Sequence, residues 1–545
     1  MPEQTQSFKV ICSGGLNSNE NHLDLSDNKP GAATRLVNYE PSLFGGYRRI
    51  NGFAPYNASY PEVGVGGVGT GKIYCIAIYK NEHIGNPYLI AARKNASGNT
   101  YSFWKYVDGS GWAVLNTGLT LAVTSGSRTV DKIRFVQFDF GTGSQICFVD
   151  GVNNATVFNG TNWYAINSSN SGGSSSPGGN QVVNAPELVD VFENHLFLAG
   201  DRTSKAVITH SAAKDPLTFT TAAGAGQVVT GFNVVQIKPF RDNLFVFGTN
   251  AIKSVKVVSN AFVLDNVTAN VGCVARDSVL EIGGDLLFLA PDGFRPVAGT
   301  SRIGDVELET VSKPIQGALV DLIENYDLTT VNGVVIRSKS QVRYFVGGST
   351  VPVTDSYGII GGLSDSSGSI EWEFGELLGI RASCCTSDYI GTTEYILHGD
   401  HDGKVYRQES GNSFNGTDIV SVYQTPYLDF GETEVRKTLR KVNTFIRAEG
   451  PMTMNLSMAY DWGSGDSSRP STYSQDSAGA PAVFAGRNIT YNGANVIYGG
   501  ASKPIMTSDI QGSGFSARAN FVTVSQEASH TIQGIVFEFS VSGRA

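Results

Sequence analysis

Short apolar runs separated by Gly, Ser, Asn and Pro dominate the chain, and very few of them carry a helical period. The first strong run opens at Ile73, is rich in β-branched and aromatic residues, and reads as a strand. Similar runs follow at 146–149, 344–346 and 395–397. Three segments, opening at Phe192, Phe240 and Ile282, align with one another, and their starts lie 48 and 42 residues apart. A second repeat places Trp112 and Trp163 in matching Gly-containing contexts, 51 residues apart. Repeats of about 40–50 residues suit one four-stranded blade each, the mark of a β-propeller. A lone blade cannot cover its apolar faces, whereas a ring of stacked blades can. Strand runs between about Lys72 and Arg407 leave room for roughly six or seven blades. A pair of β-sandwiches is the competing architecture, because evenly spaced short strands suit both.

Three segments break this rhythm. Residues 167–180 are almost wholly Ser, Gly, Asn and Pro and predict a loop between blades. Ile315, Leu319, Leu322 and Ile323 keep the helical period, with Pro314 suited to a first turn, so this is where a helix is expected. Residues 463–502 are again rich in Gly, Ser and Asn and read as a long functional loop. Strands resume at 442–448, 452–460, 517–524 and 532–541. The expected fold is all-β with little helix. Residues 1–60 form an N-terminal anchoring arm that packs with the C-terminal domain, 61–415 a β-propeller, and 416–545 a C-terminal β-sandwich or barrel-like domain carrying loop 463–502.

Composition narrows the function classes. With 64 Gly and 16% charged residues, the chain lacks what long exposed helices need, while 41% hydrophobic content can fill cores. Lys and Arg number 40 against 49 Asp and Glu, a net charge of −9, so a broad basic nucleic-acid surface is not expected. No run approaches the ~18 apolar residues of a membrane helix. The N-terminus lacks the basic start and apolar core of a signal peptide. Six cysteines without a CxxC pair read as buried free thiols made in a reducing cytoplasm.

Candidate chemistry is sparse. The segment from Gly66 to Lys72 satisfies the spacing of a phosphate-binding loop, but Ile73 stands where Ser or Thr should meet magnesium, and a strand follows rather than a helix. His398, Asp400, His401 and Asp402 concentrate potential metal ligands, yet Asp402 and Gly403 make a good hairpin turn and the calcium-loop order is absent. The stretch from Leu363 to Trp372 comes near the Asp box of sialidase propellers, with its Asp and Trp each one place off. No nucleophile elbow or zinc-protease signature is present. No catalytic residue, metal site or cofactor is expected, and the chain is read as a non-enzyme. The one basic cluster is Arg436, Lys437, Arg440 and Lys441, which suits either a solvated strand edge or contact with an acidic partner or DNA phosphates.

Both ends carry a more specific pattern. Pro30, Gly31, Ala32 and Ala33 precede Leu36 to Glu40, and then Gly45, Gly46, Tyr47, Arg48, Arg49, Ile50, Asn51, Gly52 and Phe53. Near the other end come Thr425, Pro426, Tyr427, Leu428, Asp429, Phe430 and Gly431, then Tyr460 with Asp461, and Phe537 to Ser540. The blade opening at Phe192 continues to His210 and to Asp215, Pro216 and Phe219. Together these resemble tail proteins of short-tailed, double-stranded DNA bacteriophages, with the tail nozzle of the tubular protein B type as the nearest role. The resemblance implies a structural virion protein, made in the bacterial host cytoplasm and located in the tail. Six copies would form a ring below the portal and adaptor, enclose the DNA exit channel, dock tail fibre proteins and meet the host cell surface. Arg48, Arg49, Arg436, Lys437, Arg440 and Lys441 are the candidate interface residues, because basic clusters are scarce elsewhere. The alternative is a tail-associated propeller that binds or cleaves host surface glycans.

Overall fold

The structure, a computed structural model, describes residues 5–42, 45–57, 71–81, 85–95, 98–107, 110–115, 119–166, 184–259, 261–297, 310–348, 350–366, 369–462, 472–477 and 504–544. Among the described residues, seven antiparallel sheets follow one another around a ring in chain order. Six of them have four or more strands, and one has three among the described residues. This is the propeller that the repeats predict.

The first sheet runs from Ile73–Asn81 through Gly85–Lys94 to Thr100–Val107, with Gly111–Val114 and Leu121–Ala122 both on the third strand. The second starts at Arg134–Asp139 and ends at Trp163–Ala165, and the third runs from Leu188–Phe192 to Gly226–Val229. The fourth spans Gln236–Phe240 to Ala261–Thr268, and the three-stranded fifth Leu280–Ile282 to Gly293–Pro296. The sixth runs from Asn332–Ile336 to Ser369–Leu378, and the seventh starts at Cys384–Ile390. The aligned segments at Phe192, Phe240 and Ile282 are the first hairpins of the third, fourth and fifth sheets. Trp112 and Trp163 sit on fourth strands of the first and second.

Burial on both faces is what makes these sheets stack. Ile73–Asn81 is buried at all but one position. One apolar cluster lies between each pair of neighbours. Phe103 and Phe148 meet between the first and second sheets, Leu198 and Phe219 pack against Val149 and Val157 next, and Phe197 joins Leu244 and Val246 beyond. Phe247 and Phe288 continue the series, Phe345 and Ile396 join sixth to seventh, and Leu397 meets Ile76 where seventh returns to first.

Ring closure uses the N-terminus. The outer strand of the seventh sheet is Phe53–Pro55, paired antiparallel with Val405–Gln408. A boundary at residue 60 therefore leaves one ring strand with the arm. The rest of the arm builds a β-sandwich with the C-terminal region. In its first sheet Tyr39–Pro41, Tyr47–Arg49, His530–Arg544, Val435–Ala448 and Ile505–Asp509 lie side by side, with Thr5–Ile11 also on His530–Arg544. The second sheet holds Arg35–Val37, Ile419–Gln424, Ala517–Ser525, Thr453–Tyr460 and Tyr473–Asp476. It continues the sixth blade through the parallel pair Val37 and Glu376, making one nine-stranded sheet. Phe537, Phe539, Leu439 and Val10 pack between the sheets against Tyr423, Leu456 and Phe521.

Helix is sparse. The expected one is Gln316–Asn325, led by the turn Lys313–Ile315 and buried at Leu319 and Leu322. A second, His22–Asn28, was not legible from periodicity and is capped by Asn21. Loop 167–180 lies outside the described residues, as do 463–471 and 478–502. Between those last two, Tyr473–Asp476 is a strand rather than loop.

Candidate functional site

First strands of all seven sheets converge on the propeller axis around a cavity of about 170 Å³, touched by Cys75, Phe135, Asp190, Lys238, Leu280, Gly333 and Cys385 among others. At the end where these strands begin, the axis widens to a second cavity of about 430 Å³. Ion pairs across the axis separate the two. Arg134 donates twice to Asp277, from Nε to Oδ1 at 2.9 Å and from Nη2 to Oδ2 at 2.8 Å. Lys132 also reaches Asp277 at 3.2 Å and donates to Asn332 Oδ1. These bonds join the second blade and the segment before it to the fifth and sixth. Burial alone would raise the Asp277 carboxyl, but Arg134 and Lys132 hold it well below the usual carboxylate range. Asp190 behaves oppositely: burial raises it, and Lys238 at 3.3 Å offsets only part.

A second constellation lies where propeller, arm and sandwich meet. Glu40 accepts from Arg48 Nη1 at 2.9 Å, Lys339 Nζ at 2.7 Å, Arg343 Nη2 at 3.0 Å and Gln341 Nε2 at 3.1 Å. Glu409 accepts from Lys339 at 2.6 Å and Arg343 at 2.5 Å. Arg48 continues into the sandwich, donating from Nε and Nη2 to Glu449 at 2.6 and 2.9 Å. Three cations thus meet three carboxylates, and every charge has a partner. Burial pushes the Glu40 carboxyl up, yet Lys339, Arg48 and Arg343 outweigh both that and the Glu409 charge, leaving it below its ordinary value. Glu409 is likewise depressed, by Lys339 and Arg343 against the same burial.

The candidate interface residues divide sharply. Arg48 is bound inside this junction. Arg49 is fully buried, donating to the Glu527 carbonyl at 2.7 Å and the Ser525 carbonyl at 2.5 Å. Lys437 is buried too, on the carbonyls of Phe515 at 3.1 Å and Glu432. These three side chains therefore hold the chain's own backbone and carboxylates rather than facing outward. Arg436 and Arg440 are exposed on the strand Val435–Ala448, donating to Ser513 at 3.2 Å and Ser540 at 3.3 Å, and Lys441 is half-buried, 3.7 Å from Asp509. Sequence reasoning missed Lys339, Arg343 and Glu409, and had Glu40 only as part of the resemblance pattern. Glu40 and Arg343 interrupt otherwise apolar strands, while Lys339 and Glu409 lie in turns beside strands and carry no such mark.

The motif candidates resolve into structure. Gly66 to Thr70 lie outside the described residues, and the strand at Ile73 takes the place a phosphate-binding helix would need. Asp400 accepts from the Asp402 and Lys404 amides at 2.7 and 3.1 Å, closing the hairpin between Thr393–Gly399 and Val405–Gln408. His398 is buried against Tyr406 and Phe53, and its pKa is pushed down to about 3 by that burial. Leu363 and Trp372 face each other across the hairpin of Tyr357–Ser366 and Ser369–Leu378. No group of three or more His, Cys, Asp or Glu suited to a metal occurs among the described residues. All six cysteines are free, and five are buried.

No family model matches the chain, and no curated protein matches it. Among solved structures, BBS1N in complex with ARL6DN is 8% identical with a TM-score of 0.36, covering 66% of this chain and 97% of that one. The extracellular domain of BT4673 from B. thetaiotaomicron is 10% identical with a TM-score of 0.33, covering 68% and 41%. An exo-β-1,3-galactanase from Phanerochaete chrysosporium, with β-1,3-galactotriose, is 10% identical with a TM-score of 0.24, covering 90% and 100%. Likenesses of this extent say nothing about what the chain does.

Proposed function

We propose that this chain is the nozzle of a short phage tail, six copies of which ring the DNA exit channel below the portal and adaptor and dock tail fibres. The residue pattern from Pro30 to Phe53 and from Thr425 to Gly431 carries this reading through its resemblance to that family. In support, patterned residues of the arm are used together: the Gly31 carbonyl accepts from the Tyr47 hydroxyl at 2.9 Å, beside buried Ala32 and Ala33. A conduit wall must keep its shape while a long polyanion passes, and a sandwich continuous with a propeller blade is suited to that. A net-acidic, charge-poor chain also offers phosphates few counterion-releasing contacts. Axial cavities of about 430 and 170 Å³ are far too small for a duplex, so in this reading DNA runs between copies, not through a propeller.

Gold-antibody labelling of phage particles from the source lysate, viewed by electron microscopy, tests it. Label at the distal end of a short tail is the expected result. Label on radiating fibres would favour receptor binding instead, and unlabelled particles beside free protein would reopen the glycan-directed propeller. Because Arg436 and Arg440 are the outward members of the basic cluster, the double charge reversal Arg436→Glu with Arg440→Glu is expected to stop tail assembly while leaving the chain folded. Normal tails from that variant would remove these residues from any interface.

A further inference from the structure

The wider axial cavity is built differently from the rest of the propeller, and its construction points to a ligand. Its charged wall comes from Arg128, on the short hairpin strand Arg128–Thr129, from Lys132 and Arg134 at the entry to the second blade, and from Arg276 just before the fifth. Only two carboxylates are set between these four cations. Glu187 bridges Arg128, at 3.4 Å, and Arg276, while Asp277 bridges Arg134 and Lys132. The other two carboxylates on the wall are engaged elsewhere. Asp131 pairs with Lys72. Asp150 accepts from the Val152 amide at 2.8 Å, the Asn153 amide at 2.7 Å and the Tyr101 hydroxyl at 2.7 Å.

Asp131 is offset by Lys72 while Asp150 keeps its charge, so four cations face three carboxylates and the wall keeps one positive charge, in a chain whose net charge is −9. Donors remain as well. A guanidinium has five N–H groups. Arg128 directs Nη1 to the Gly151 carbonyl at 3.1 Å and to Glu187, and Arg276 directs Nη1 to Glu187. Their other N–H groups are left for a guest. Val235, Val274 and Leu328 add apolar surface to the same lining. A volume of about 430 Å³ falls in the range of small-molecule sites, which pair apolar walls with a few convergent polar groups.

We propose that this cavity binds a small molecule bearing a tetrahedral oxyanion, a phosphate or a sulfate, with the oxyanion between Arg128 and Arg276 and a sugar-sized body against Val235, Val274 and Leu328. Guanidinium groups bind such oxyanions through paired, charge-assisted hydrogen bonds. The site is independent of the nozzle reading, since it lies within one chain and needs no second copy.

Isothermal titration of the full chain with inorganic phosphate, and separately with inorganic sulfate, in low-salt buffer tests the proposal. Saturable one-to-one binding of either anion is expected, and the tighter one identifies the group on the ligand. In Arg276→Ser, affinity should fall by about tenfold or more, the loss of one charge-assisted contact. In Glu187→Gln, which frees both arginines from their shared carboxylate, affinity should rise, an outcome that an unfolded chain cannot produce. No saturable binding of either anion to the wild type would overturn the proposal. So would binding that Arg276→Ser and Glu187→Gln both leave unchanged.

Discussion

Gly31 shows how one residue can be required by a contact that lies outside its own neighbourhood. A Cβ there would overlap the carbonyl oxygen of Ile11, at the end of the edge strand Thr5–Ile11. Gly31→Ala should therefore force backbone apart and cost about 1–3 kcal/mol, the usual range for overpacking. A urea midpoint indistinguishable from wild type would show that the seam can relax. Arg343 poses the electrostatic version of the same question. Its guanidinium, 1% exposed, lies between Glu40 and Glu409. Arg343→Met leaves Glu409 with Lys339 as its only cation, shared with Glu40, which keeps Arg48, and should lower stability by about 3–5 kcal/mol. Double variants that also replace Glu40 or Glu409 with Gln should recover part of that loss. Arg48 and Arg49 were legible as an unusual basic pair but not as internal ones. Their acceptors, Glu449, Ser525 and Glu527, lie far along the chain and bear no local mark.

Hairpins were the elements most readable from sequence, for a physical reason. The turns after Phe192 and Ile282 need left-handed backbone at Glu193 and Asn194, and at Gly283 and Gly284, and apolar alternation flanks each. Both signals are local, so the three aligned segments announced three successive blades. Closure was not local. Phe53–Pro55 looks like any short strand, and only the ring's geometry assigns it to Val405–Gln408, some 350 residues later. A chain starting at residue 57 lacks that strand and also Thr5–Ile11, Arg35–Val37, Tyr39–Pro41 and Tyr47–Arg49. It should show no cooperative unfolding transition and should bind a dye for exposed apolar surface. A sharp transition near the wild-type midpoint would mean that the ring closes without its N-terminal strand.

At the scale of the whole molecule, acid should loosen the fold before the carboxylates titrate. His398 and His530 are fully buried, and burial brings each pKa down to about 3, helped at His530 by Arg49 and Arg48. In the unfolded chain a histidine protonates near 6.5, so the unfolded state takes up protons that the folded state refuses. Stability then falls as pH drops below that value, by about 2 kcal/mol per histidine between pH 7 and pH 5. The depressed carboxyls of Glu40, Glu409 and Asp277 act in the same direction at lower pH, their stabilisation being lost as pH falls through their folded values. Asp190, Glu373 and Asp400, whose pKa values burial raises, act in the opposite sense. Comparing urea midpoints at pH 7 and pH 5 for wild type and His530→Gln isolates the histidine share. Burial also brings His401 down to about 4, so the variant should lose about two-thirds as much as wild type, and equal losses would show that His530 is not held neutral.

Periodicity, turn chemistry and composition by themselves determined an all-β chain, a repeat near fifty residues and one of its helices, because these properties depend on residues close in sequence. Tertiary structure alone decided which strand closes the ring, that the sandwich continues the sixth blade, and which charges lie inside. Those outcomes depend on partners hundreds of residues apart, whose meeting is set by packing of whole sheets. The same holds for the cationic cavity: Arg128, Glu187 and Arg276 are unremarkable in the sequence and become a site only where the blades converge.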